Sequence, residues 1–153
     1  MGGNNAVHTP PPCCPLLNHD HAVARSNVGV AGLPGFIELF PVWPRSEPAS
    51  FRGLLVKGGF EVTAAYSPGA PAHGVGSPVL VRSNAGTLCA VVNPWPGRGA
   101  TAAGRGGGRA AGGIVVTTAA GAAVPTRWAQ TTRGLAIVFN TTRGTTYAVA
   151  LDA

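Results

Sequence analysis

The sequence predicts an all-β fold, an antiparallel β-sandwich. Short stretches of β-branched and aromatic residues recur along the chain, separated by Gly, Pro and Asn, as in a sandwich of short strands. No stretch has the apolar spacing of an amphipathic helix. Only 10% of the residues are charged, against about 25% in an average domain. Long helices with solvated, ion-paired faces are therefore not expected.

Alternation of apolar and polar positions locates the individual strands. The clearest case places Phe60, Val62, Ala64 and Tyr66 on one face of a strand. The full set of predicted strands covers residues 36–40, 51–56, 60–66, 79–83, 87–92, 114–118, 126–130, 135–139 and 145–151.

Two glycine-containing turns are predicted to close hairpins. Gly58 and Gly59 supply the positive φ for a hairpin turn or a bulge between the second predicted strand and the third. Residues 84–86, Asn-Ala-Gly, have the same turn chemistry, which predicts a second hairpin between the fourth and fifth strands.

The chain divides into a lead-in and one β domain. Residues 1–31 mix Pro, Asn and His without a period, which predicts a disordered or loosely packed lead-in, and residues 32–153 form the sandwich. Residues 97–113 contain nothing apolar larger than Ala, so we expect a flexible Gly/Arg-rich insert there. No secretory signal is visible at the N-terminus, and no apolar run is long enough for a membrane span.

The charge balance raises the question of a polyanion partner. Lys and Arg number 11 against 5 for Asp and Glu, a net charge of +6. Arg98, Arg105 and Arg109 lie in the Gly-rich insert, but Arg-Gly units are few and no aromatic residue is interleaved for base stacking. A basic solvated linker is favoured, and nucleic-acid binding through the insert is kept as an alternative.

Metal and cofactor chemistry are not favoured. Cys13, Cys14, His19, Asp20 and His21 lie close together in the chain, but adjacent cysteines lack the spaced pairs of zinc sites. No phosphate-binding glycine motif is present, so no metal and no cofactor is expected. Cys89 lies within a predicted strand and is interpreted as a small buried hydrophobic residue.

The acidic residues argue against independent catalysis. They are Asp20, Glu38, Glu47, Glu61 and Asp152, and no pattern brings two of them to the separation that glycoside hydrolysis requires. No nucleophile elbow is present either. We therefore assign no catalytic residue to this chain.

The three tryptophans allow an alternative hypothesis for the function. Trp43, Trp95 and Trp128 lie near prolines or strand ends, where an indole packs as an apolar plug or stacks on a sugar. Packing is the commoner outcome. A carbohydrate-binding module using Trp95 or Trp128 on the surface, with a glycan as its partner, is kept as an alternative function.

Several segments resemble the C-terminal region of glycoside hydrolase family 95, the α-L-fucosidase-like enzymes. They are the run FIELFPVWP at 36–44, ASFRGLLVKGGFEV at 49–62, SNAGTLCAVVNPWPG at 83–97 and TRGTTYAV at 142–149. The resemblance implies a C-terminal β-sandwich that packs on an (α/α)6 barrel. That barrel holds the family's catalytic residues and hydrolyses with inversion, using a Glu as general acid.

The resemblance and the composition together predict an interface. An apolar, proline-interrupted ribbon of this size would mark an interface if it were exposed. We therefore expect a non-catalytic accessory domain whose partner is the barrel, in the same parent chain or in a separate subunit. The expected interface residues are Phe36, Ile37, Leu39, Phe40, Val42 and Trp43.

Overall fold

The computed structural model describes residues 24–27, for their backbone, and residues 35–69, 74–96 and 113–152. These residues form ten strands and no helix, which confirms the all-β prediction. The strands are β1 Ala24–Asn27, β2 Phe36–Leu39, β3 Ala49–Val56, β4 Phe60–Tyr66, β5 Val79–Ser83, β6 Leu88–Val92, β7 Ile114–Thr118, β8 Thr126–Thr131, β9 Gly134–Asn140 and β10 Thr146–Leu151.

The strands form two five-stranded sheets. The first sheet has the order β1-β2-β6-β9-β8, and the second has the order β3-β4-β5-β10-β7. The pairs are antiparallel, with the exception of β2 and β6, which run parallel where Ile37 lies beside Val91. The sandwich prediction is therefore confirmed, with one parallel pair added.

Two segments differ from the sequence expectation. Ala24–Asn27 forms an edge strand on β2, inside the predicted lead-in. Residues 84–86 do not close a hairpin, because β5 and β6 belong to different sheets. The turn is instead held to β4 by a hydrogen bond, in which the Asn84 side-chain amide donates to Glu61 Oε1 at 2.8 Å. The rest of the lead-in and the insert at 97–112 lie outside the described residues.

The core lies between the sheets, as the alternation predicts. Phe60, Val62, Ala64 and Tyr66 all point inward from β4. Cys89 faces them from the first sheet and is fully buried, and this burial raises the pKa of its thiol to about 12. The interpretation of Cys89 as a buried hydrophobic residue is confirmed.

The outer faces of the two sheets differ in character. The outer face of the second sheet carries polar residues such as Glu61, Thr63 and Arg82. On the first sheet, Phe36, Ala90 and Val138 form a second buried apolar cluster that is separate from the main core. The first sheet thus has apolar side chains buried on both of its faces.

Candidate functional site

A cleft of about 320 Å³ opens at the end of the sandwich where β2 and β6 end. Its volume is at the lower end of the range for small-molecule pockets, about 300–1,000 Å³. Its polar and aromatic lining comes from both sheets and from their connecting loops: Glu38, Trp43, Arg45, Tyr66, Asn93 and Arg133.

Glu38 supplies the acidic group of the cleft. It lies on β2 between Ile37 and Leu39, which face the core, so its side chain lies on the other face of the sheet. The side chain is only 17% exposed. Its Oε2 atom is buried and accepts no hydrogen bond from any residue that the structure describes. A buried carboxylate oxygen without a donor is costly, by about 1–3 kcal/mol or more.

The β8–β9 turn brings Arg133 to this carboxylate. The Thr131 hydroxyl accepts the backbone N–H of Arg133 at 3.1 Å and donates to the carbonyl of Gly134 at 2.7 Å. The turn is thereby fixed, and Arg133 Nε lies 3.7 Å from Glu38 Oε2. This separation is an ion pair, but it is too long for a hydrogen bond. The Arg133 side chain is itself half exposed.

An aromatic cluster supports the floor of the cleft. Phe40 ends β2 with a φ of +50°, a left-handed conformation that is uncommon for a bulky residue and typical of constrained sites. Its ring packs 5.5 Å from the rings of both Phe51 and Tyr66. The Tyr66 hydroxyl donates to the carbonyl of Arg45 at 3.2 Å, so the cluster also holds the loop that follows β2.

Trp43 forms one wall, with its ring fixed in place. The indole N–H donates to the carbonyl of Glu47 at 2.8 Å. The half-buried ring packs against the core and lines the cleft. With its N–H engaged by Glu47, the ring contributes apolar atoms to the lining of the cleft.

Trp95 is fully buried, so the prediction that it stacks on a sugar at the surface is wrong. It has 0% exposure. Its indole N–H donates to the carbonyl of Val75 at 2.9 Å, and its backbone N–H donates to Asn93 Oδ1 at 2.9 Å. Trp95 therefore plugs the end of the sandwich behind the cleft. Trp128 is partly buried and packs against the core from β8.

The predicted interface ribbon is mostly part of the chain's own core. Ile37, Leu39 and Phe40 are buried in the main core, and Phe36 is buried in the separate cluster on the outer face of the first sheet, so none of the four is exposed to a partner. Val42, at 60% exposure, is the exposed large apolar residue of the ribbon. Only Val42 and the half-buried Trp43 remain accessible from the predicted set.

The other carboxylates of the described residues do not join Glu38. Glu61 lies on the outer face of the second sheet, with its Oε2 3.6 Å from Arg82 Nη1 and its Oε1 bonded to Asn84. Glu47 is exposed and does not line the cleft. Since the sheets of a sandwich pack about 10 Å apart, Glu38 and Glu61 on opposite outer faces are separated by more than that distance.

Metal ligands do not cluster in the part of the chain that the structure describes. The Cys13–Cys14 and His19–His21 segment, and the insert arginines Arg98, Arg105 and Arg109, lie outside the described residues. Among the described ranges, no helix is long and apolar enough to cross a membrane.

No protein-family model matches the chain, and no curated protein matches it. The residues of the cleft and the sequence resemblance are therefore the basis for the proposed function.

Proposed function

We propose that this chain is a non-catalytic accessory β-sandwich domain of the type found at the C-terminus of family 95 glycoside hydrolases. The segments with the family resemblance contribute to β2, β3, β4, β6 and β10. These strands belong to both sheets, so the resemblance extends through the body of the sandwich. A resemblance spread over both sheets supports a shared architecture better than a resemblance confined to one edge strand would.

The observation that carries the proposal is the single carboxylate of the cleft. Glycoside hydrolysis uses two carboxyl groups, about 5–10 Å apart, that flank the scissile bond. Of the described residues that line the cleft, Glu38 alone is acidic, and Arg133 already lies beside it. A binding or supporting role needs no second carboxylate.

The proposed partner is an (α/α)6 catalytic barrel, in a parent chain or in a separate subunit. Four of the six ribbon residues are buried, three in the main core and Phe36 in the outer cluster of the first sheet. The proposed contact therefore narrows to the loop after β2, with Val42 as its exposed apolar anchor. The Tyr66–Arg45 hydrogen bond holds this loop and so pre-organises it for contact.

The experiment is a complementation assay. The chain is mixed with a family 95 barrel expressed without its own C-terminal sandwich, and co-elution and 4-nitrophenyl α-L-fucoside hydrolysis are measured. We expect the isolated chain to be inactive, the mixture to co-elute, and Val42→Asp to weaken association about tenfold or more.

Leu55 provides the matched control. It is 71% exposed and lies opposite Glu61, on the outer face of the second sheet. Leu55→Asp should leave association unchanged. Hydrolysis by the isolated chain, or equal co-elution of wild type and Val42→Asp, would contradict the proposal.

A further inference from the structure

We propose that the cleft beside Glu38 is a binding site for a neutral monosaccharide unit. The proposed site consists only of residues of this chain, so it does not depend on the barrel partner. It begins from Glu38 Oε2, a buried acceptor to which no described residue donates a hydrogen bond. The oxygen is shielded from solvent, so a ligand hydroxyl reaches it only if a neighbouring side chain moves aside, such as the half-exposed Arg133 at 3.7 Å. A hydrogen bond from that hydroxyl would remove the cost of leaving the oxygen unsatisfied.

The charges of the cleft select the class of ligand. Among the described residues, Arg45 and Arg133 line the same cleft as Glu38, so the described lining carries one more positive charge than negative. A cationic ligand would face two guanidinium groups. An anionic group would be attracted by the guanidiniums, but beside Glu38 Oε2 it would meet a like charge and donate no hydrogen bond. A neutral ligand that both donates and accepts hydrogen bonds is compatible with all three groups.

Adjacent hydroxyl groups supply that combination. One hydroxyl can donate to Glu38 Oε2 while its neighbour accepts from the guanidinium of Arg133, which lies 3.7 Å from that oxygen. Half of the Arg133 side chain is exposed, so its remaining N–H donors are accessible from the cleft. The carboxylate and guanidinium therefore present an acceptor and donors side by side.

Trp43 gives the cleft an apolar wall. Its indole is held by the hydrogen bond to Glu47, so ordering the ring adds little to the cost of binding. One face of a sugar ring carries C–H groups, which pack against an aromatic surface while the hydroxyls bond at the ring edge. Trp43, and neither Trp95 nor Trp128, is the tryptophan in the cleft lining.

The test is a titration of the full chain with D-glucose, D-galactose and L-fucose, followed by calorimetry and tryptophan fluorescence. We expect saturable binding of at least one sugar. Glu38→Gln should weaken it about tenfold or more, because a hydrogen bond to a charged acceptor is lost. Glu61→Gln, the matched change on the open face, should alter the dissociation constant less than about twofold.

Two further sets of measurements test the role of Trp43 and the preference for neutral ligands. Trp43→Leu should also weaken sugar binding, and denaturation curves of each variant establish that it remains folded. Phosphate and D-glucuronate are titrated as anionic probes. Tighter binding of these anions than of every neutral sugar would overturn the proposal, as would the absence of sugar binding or equal binding by Glu38→Gln and Glu61→Gln.

Discussion

Two glutamate–arginine pairs in this protein have nearly the same separation but different surroundings. Glu61 lies 3.6 Å from Arg82, and Glu38 lies 3.7 Å from Arg133. Glu61 stands on an open strand face, and its other oxygen accepts a hydrogen bond from Asn84. Glu38 is more deeply buried, at 17% exposure against 29%, and one of its oxygens has no donor among the described residues.

We interpret the Glu61–Arg82 pair as structural and the Glu38–Arg133 pair as part of the proposed ligand site. The Glu61 pair is satisfied, and exposed pairs of this kind contribute little to stability, about 0–1 kcal/mol. The Glu38 pair leaves a buried acceptor unsatisfied, in a cleft whose walls are fixed by other contacts. Unsatisfied buried groups are rare in folded proteins and call for an explanation.

The largest effect is expected from Trp95, which supports the cleft from behind. Trp95→Ala removes a fully buried indole and its hydrogen bond to Val75, and should lower the free energy of unfolding by about 3–5 kcal/mol. Trp128→Ala removes a partly buried ring and should cost less. Chemical denaturation measures both. Equal losses would show that the cleft end is no more tightly packed than the strand β8.

A smaller loss is expected at Gly74, which lies against the Tyr66 ring. Gly74 has a φ of +87°, and a Cβ there would lie 2.5 Å from the ring. Gly74→Ala should destabilise the protein by about 1–3 kcal/mol. Gly121 has a similar φ of +80° with nothing within 4 Å, so Gly121→Ala measures the backbone cost alone. If both variants lose the same stability, the Tyr66 contact is not tight.

The two glutamates should respond to methionine with opposite signs. Without a ligand, Glu38→Met removes a buried unsatisfied acceptor and should raise the free energy of unfolding by about 1 kcal/mol. Glu61→Met breaks the bond to Asn84 and should lower it by about 0.5–1 kcal/mol. Urea titrations of both variants compare them directly. Destabilisation by both substitutions would mean that Glu38 is a structural residue like Glu61.

The smallest effect is expected from salt on the outer pair. Arg82 is half exposed, so its attraction to Glu61 is screened by mobile ions. Raising the ionic strength should reduce the difference in stability between wild type and Arg82→Ala, which begins at about 0.5 kcal/mol. Thermal melts at low and high salt measure this change. If this stability difference does not change with salt, it arises from packing of the aliphatic part of the Arg82 side chain and not from its charge.

The strands could be predicted from local patterns, but their assignment to sheets could not. Alternation in β4 is a local property, and the structure follows it. The turn at 84–86 has hairpin chemistry, yet it carries the chain to the other sheet, because no local signal says which strands pair. β1, with the sequence ARSN, has no apolar alternation and is held by backbone pairing with β2.

The site was harder to predict than the fold. Glu38 is a charge between two inward-facing apolar neighbours, which is a local signal of an unusual position. Its approach to Arg133 depends on how β2 and the β8–β9 turn meet at one end of the sandwich, and no spacing in the sequence encodes that. Trp95 lies between two prolines, where the sequence allowed either packing or sugar stacking, and its indole is buried and bonded to Val75.

The most direct test of the ligand-binding cleft uses the three tryptophans as reporters. Each indole N–H gives its own proton–nitrogen NMR signal, from Trp43 in the cleft wall, Trp95 behind it and Trp128 on β8. During titration with the three neutral sugars, we predict that the Trp43 signal shifts progressively and saturates while the Trp128 signal stays in place. A saturable shift at Trp128 with Trp43 unmoved would contradict the account.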